Sequence, residues 1–160
     1  MNGPTLTEQL QSIVRQYQEA GGTWPATTRE ISAWGIRKGL WKPHADSLVG
    51  QLAEQLSRAM REEYIVDTQG RTVRAKHAAR FEQSVLWADI RTASRSHMEI
   101  AFQQRRQQIV GDCRQLKTNV DSFNDNGEAG PAIQMVFDFN EDLAELEALE
   151  SLDRGLVLVT

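Results

Sequence analysis

Thr27-Thr28-Arg29-Glu30-Ile31 begins the stretch that decides the fold, which runs to Arg74-Ala75-Lys76. A threonine followed three residues later by glutamate is a capping box, in which two orphan backbone donors are satisfied reciprocally at the start of a helix. Ile31, Trp34 and Ile36 follow, and Gly39 before Leu40-Trp41 reads as the helix C-cap. A second helix is expected from about Asp46 to Glu63. Its apolar face takes Leu48, Val49, Leu52, Leu56 and Met60 at three- and four-residue spacing. Glu63-Tyr64-Ile65-Val66 and Thr72-Val73-Arg74 are short β-prone runs on either side of a loop containing Gly70, which predicts a hairpin. Helix, turn, helix, hairpin is the order of a winged helix-turn-helix.

Upstream, Leu6, Leu10, Ile13 and Tyr17 predict a first helix over 5–20, stopped by Gly21-Gly22. Trp24, Trp34 and Trp41 surround the motif. They read as its core more readily than as a stacking platform for bases.

If the motif meets DNA, the N-terminal residues of its second helix enter the major groove. Ser47 and Gln51 face away from the apolar stripe, and glutamine can bond adenine bidentately. Arg58 and Arg61 suit phosphates, whereas Glu54 opposes deep insertion. Thr28 and Arg29 open the first helix of the motif. Arg71, Arg74 and Lys76 form a basic wing, with Arg80 completing a ten-residue run that contains no acid. The expected DNA-binding set is therefore Thr28, Arg29, Ser47, Gln51, Arg58, Arg71, Arg74 and Lys76.

The run Thr28-Arg29-Glu30-Ile31, then Gly39-Leu40-Trp41-Lys42-Pro43, Leu48 to Leu56 and Gln69-Gly70-Arg71 resembles the HARE-HTH type of winged helix. That type occurs in some restriction endonucleases, in the bacterial RNA polymerase delta subunit and in some chromatin proteins. The resemblance spans residues 5–76 and implies a three-helix body with a wing and an accessory role at DNA. The third helix is longer here than in that pattern, and residues 77–160 lie outside it.

Residues 77–123 contain no proline and one glycine, Gly111, and are rich in Ala, Gln, Arg and Glu. One long helix, or two in line, is expected, with a first apolar face of Phe81, Val85, Leu86, Ala88 and Ile90. Ile109, Cys113, Leu116, Val120 and Phe123 then step four, three, four, three, an a/d seam of about two heptads. This seam is expected to pair with a second subunit, most simply in a homodimer, or with the C-terminal helix of the same chain. Residues 124–131 read as a loop. Ile133 to Phe139 is β-prone and reads as a short strand. Within it, Gln134-Met135-Val136-Phe137-Asp138-Phe139 loosely resembles the glutamine-plus-aromatic peptides that dock on bacterial sliding clamps. Asn140 should cap an acidic helix striped by Leu143, Leu146, Leu149 and Leu152, with an apolar end at 156–159.

Residues 1–123 carry 17 Lys+Arg against 13 Asp+Glu, whereas residues 124–160 carry one arginine against nine acids. A modestly basic body with an acidic tail suits contact with a polyanion and, separately, with a protein partner. The excess is small compared with proteins that bind DNA by charge alone. No run approaches the ~20 apolar residues of a membrane span. Met1 to Thr5 lacks a basic n-region, so no signal peptide is expected. Cys113 is the single cysteine, which excludes an internal disulfide framework and leaves the cytoplasm as the expected compartment. No phosphate-cradling loop, GxSxG or HExxH is present, and His44, His77 and His97 are far apart. Neither enzyme chemistry nor a metal or cofactor is expected.

The sequence thus predicts a mainly α protein in three parts. These are a winged helix-turn-helix domain over 1–76, a long helix over 77–123, and a small α/β acidic segment over 124–160. The expected function is that of a DNA-binding accessory factor for transcription or DNA processing, acting as a dimer on double-stranded DNA. The alternative is a non-catalytic adaptor whose winged helix and acidic tail bind proteins.

Overall fold

The computed structural model describes residues 3–44 and 47–157. Met1, Asn2, Ala45, Asp46, Leu158, Val159 and Thr160 lie outside the described residues, and with them fall the expected start of the third helix at Asp46 and the last of the apolar C-terminal end. The chain is mainly helical with two small antiparallel sheets, and it divides into two units, Met1–Glu62 and Glu63–Thr160.

The first unit holds α1 (Leu6–Glu19), α2 (Thr28–Arg37) and α3 (Ser47–Arg61). Both α1 and α2 open on complete capping boxes. Thr5 N–H donates to Glu8 Oε2 at 2.7 Å and Glu8 N–H returns to Thr5 Oγ1 at 3.2 Å. Thr27 and Glu30 repeat this at 2.7 and 3.1 Å. Gly39 adopts φ +70° just past the end of α2, as a C-cap requires. α1 and α2 cross closely at Gly35, where a Cβ would come within 2.9 Å of Ile13 Cγ2. Tyr17 is buried beside this crossing, edge-on to Trp34 at 5.5 Å and to Trp24 at 5.9 Å, and its hydroxyl donates to Thr23 O. Trp34 and Trp24 thus pack on Tyr17, although Trp24 remains 46% exposed. α3 is amphipathic, yet none of its residues is buried: Leu48, Val49, Leu52 and Leu56 are 51–79% exposed.

In the second unit, β1 (Tyr64–Val66) pairs antiparallel with β2 (Thr72–Arg74), Tyr64 opposite Arg74. Gly70 at φ +82° turns the loop, as a tight reversal needs. Ala75, fully buried, joins this hairpin to the next: its N–H donates to Glu63 O and its carbonyl accepts from Ile90 N–H, both at 2.8 Å.

The sequence reading fails beyond Lys76. Residues 77–89, expected to begin a long helix, lie in β3 (Lys76–Phe81) and β4 (Ser84–Asp89), a second antiparallel hairpin. Alanine and arginine give this stretch helical propensity, but Ala75, His77 and Ala79 alternate inward, the period of a strand. The small Ala79 on β3 and Ala101 on the later helix, both buried, leave room for that helix to pack directly on the strand. The turn, Glu82-Gln83, contains neither glycine nor proline, and Glu82 takes φ +54°. The long helix begins later, as α4 (Arg95–Asn126), with Ser94 capping His97 N–H, and it passes through Gly111 without interruption. His97 and Ala101 are its buried residues.

Residues 132–139 form neither helix nor strand, so the expected C-terminal strand is absent. α5 (Asn140–Val157) follows. Asp138 rather than Asn140 supplies its capping carboxylate: Oδ1 accepts from Asn140 N–H at 3.2 Å and from its Nδ2–H at 2.8 Å.

Candidate interaction surfaces

The expected base-reading residues are accessible at the start of α3. Gln51 is exposed, its amide donating to Ser47 Oγ at 3.2 Å, while Ser47 Oγ–H donates to His44 O at 2.6 Å. Arg58 is exposed and paired with Glu54 at 2.8 Å. Thr28 and Arg29 are exposed in the first turn of α2.

The wing cations are placed differently from the expectation of an acid-free basic strip. Arg71 Nε lies 2.7 Å from Asp67 Oδ2, and Arg71 N–H donates to the other oxygen of the same carboxylate. Lys76 Nζ lies 2.7 Å from Asp89 and 3.6 Å from Glu63. Arg74 is half-buried, and its Nε has no hydrogen-bond partner among the described residues. Acids distant in sequence are therefore brought onto the wing by hairpin pairing. Asp89 also accepts from Arg91 Nη2 at 2.7 Å. The Arg91 hydrogen bond, with that of Lys76, holds its carboxyl far below the usual carboxylate range.

Two histidines organise the packing of α4 on β3. His97 Nε2–H donates to His77 O at 3.0 Å, and His77 Nε2–H donates to Arg74 O at 2.8 Å. Phe102 packs edge-on to the His77 ring at 5.4 Å. Burial lowers the His77 pKa, and the nearby Arg105 and Arg74 charges add to this against the pull of its own hydrogen bond. Both rings thus close backbone acceptors. Among the described residues no group of three or more His, Cys, Asp or Glu is placed to hold a metal ion. Sequence reasoning missed this pair because it judged the histidines by separation along the chain.

One turn on, Gln104 bonds both backbone groups of Arg80: its amide donates to Arg80 O at 2.9 Å, and its carbonyl accepts Arg80 N–H at 2.7 Å. The outer edge of β3 is thereby closed by α4 side chains.

Apolar surface remains open on every long helix. On α4, Ile109, Leu116 and Phe123 are 50%, 44% and 51% exposed, with Cys113 and Val120 half-buried between them. On α5, Leu143, Leu146, Leu149, Leu152 and Leu156 are 55–68% exposed. The first unit carries an apolar cleft of about 500 Å³ between α1 and α2, lined by Leu10, Ile13, Val14, Ile31, Ile36 and Trp41. No described helix is long and apolar enough to cross a membrane. Comparison with protein families, curated proteins and solved structures gives no match.

Proposed function

We propose that the protein is a non-catalytic assembly module that pairs with a second copy of itself through α4 and presents its remaining apolar faces to protein partners in the cytoplasm. The observation that supports this reading is the row Ile109, Cys113, Leu116, Val120, Phe123 on a helix of 32 residues, with Ile109, Leu116 and Phe123 exposed and Cys113 and Val120 half-buried. Fully burying each such side chain is worth roughly 1.5–3 kcal/mol. The leucines of α5 are themselves exposed, so that helix does not use its stripe to cover the row. A two-fold partner presents the same row to itself and covers it without any further surface. Sedimentation of the full chain at tens of micromolar (about the protein concentration at which weak dimers are read) should give a dimer. Leu116→Asp should give a helical monomer, and a wild-type monomer would exclude this arrangement.

A second reading, double-stranded DNA binding, is favoured by the first turns of α3, where Gln51 is exposed and Ser47 half-buried beside it. It takes the HARE-HTH resemblance at face value, with α2 and α3 as the helix-turn-helix and β1–β2 as the wing. In that reading Arg71 and Lys76 exchange Asp67, Asp89 and Glu63 for phosphates, which lowers the affinity each can contribute. Binding should weaken with salt through counterion release. Replacing Arg71, Arg74 and Lys76 together by alanine should flatten that dependence, and Gln51→Ala should relax preference at one base pair. Affinity that ignores both salt and the triple substitution rules out DNA as the ligand.

A further inference from the structure

The segment between α4 and α5 is not used by either reading, and neither sheet pairing nor burial explains its apolar residues. Residues 133–139 have no strand partner. Ile133, Met135, Val136 and Phe139 are 43–80% exposed. Phe137 is half-buried, with its ring edge-on to Phe139 at 6.4 Å. That contact brings residues i and i+2 to one side, as extended backbone does.

The segment is nevertheless held at both ends. Asn124, near the end of α4, brackets Ile133: its Nδ2–H donates to Ile133 O and its Oδ1 accepts Ile133 N–H, both at 2.9 Å. Asp138 caps α5, and Phe139 O accepts the Leu143 N–H at 2.9 Å. Between these anchors, Gln134, Met135, Val136 and Phe137 make no hydrogen bond to the other described residues. An anchored, extended peptide with open backbone groups, one exposed and one half-buried phenylalanine has already lost much of the freedom that docking would otherwise remove.

We propose that Gln134–Phe139 is a linear docking peptide for a partner protein whose surface offers an apolar cleft beside a pocket that hydrogen-bonds a glutamine amide, the chemistry displayed by bacterial sliding clamps. Met135, Phe137 and Phe139 enter the cleft as one ridge, and Gln134 supplies the amide. The flanking charge selects a protein over a polyanion, since residues 124–160 carry nine acids and one arginine. Nucleic acid and anionic lipid are both repelled by such a surround.

The proposal does not depend on pairing through α4, and the test separates the two. Full-length protein is titrated against a purified bacterial sliding clamp, with binding followed by calorimetry or surface plasmon resonance. Wild type should bind at micromolar concentrations, about the strength usual for a short peptide with two aromatic anchors. Gln134→Ala should weaken binding roughly tenfold, and Phe137→Ala with Phe139→Ala should abolish it while helical circular dichroism is unchanged. Leu116→Asp should keep clamp binding. Absence of wild-type binding at about 100 µM, or binding that survives the double phenylalanine substitution, overturns the proposal.

Discussion

His77 shows how one residue sets the chemistry of the small core on β3. Its Nε2–H is committed to Arg74 O, its own carbonyl takes the Nε2–H of His97, and Arg74 and Arg105 stand near enough to oppose a positive charge on the ring. The neutral imidazole is therefore the form the folded state prefers. A histidine with a depressed folded pKa contributes stability that is fully present above its unfolded value, about 6.5. That contribution is lost as pH falls through the folded value. Asp89, held ionised far below the usual range, stays charged throughout this window. The melting temperature should accordingly drop between pH 7.5 and 5.5, read by circular dichroism at fixed ionic strength (about one unit either side of the unfolded pKa). His77→Gln should remove most of that drop. An equal acid sensitivity in the variant would show that another group is responsible.

At the scale of elements, what was legible depended on whether the signal was local. The Thr27/Glu30 capping box, the Gly39 stop of α2 and the Gly70 turn are each written within a few residues, and each is found in place; the equivalent Thr5/Glu8 box was as local a signal and was overlooked. The β3–β4 hairpin was hidden because its turn is Glu82-Gln83 and its inward residues are alanine and histidine rather than β-branched. The alternation Ala75, His77, Ala79 was the available signal. The wing failed as a basic strip for a related reason. Asp67 neutralises Arg71 from within the same loop, four residues away, and was readable in the sequence, whereas Asp89 and Glu63 become partners of Lys76 only once the hairpins form. Gln104 belongs to the same class of non-local device. It stands in for a third strand by bonding both backbone groups of Arg80, so Gln104→Ala leaves that edge to water. Two modest hydrogen bonds should cost about 1–2 kcal/mol in total in urea unfolding. Hydrogen exchange at the Arg80 amide should accelerate selectively. Unchanged exchange there would mean that the clamp contributes no protection.

At the scale of the whole molecule, the described core is small, and apolar rows on α3, α4 and α5 stand exposed. Pairing through α4, as proposed, would cover one of these rows. If α4 pairs as proposed, the single thiol at Cys113 becomes a reporter of helix direction. In a parallel, in-register pair Cys113 faces its own counterpart, whereas in an antiparallel pair centred on Leu116 it lies opposite Asn119 rather than the other thiol. Charges beside the row favour the parallel form, because Asp112 of one helix then approaches Lys117 of the other. A disulfide closes only where two Cα atoms come within about 7 Å. Mild oxidation of the native protein should therefore yield a covalent dimer that dithiothreitol reverses and Cys113→Ser abolishes. A dimer that refuses to cross-link would instead place its two helices head to tail.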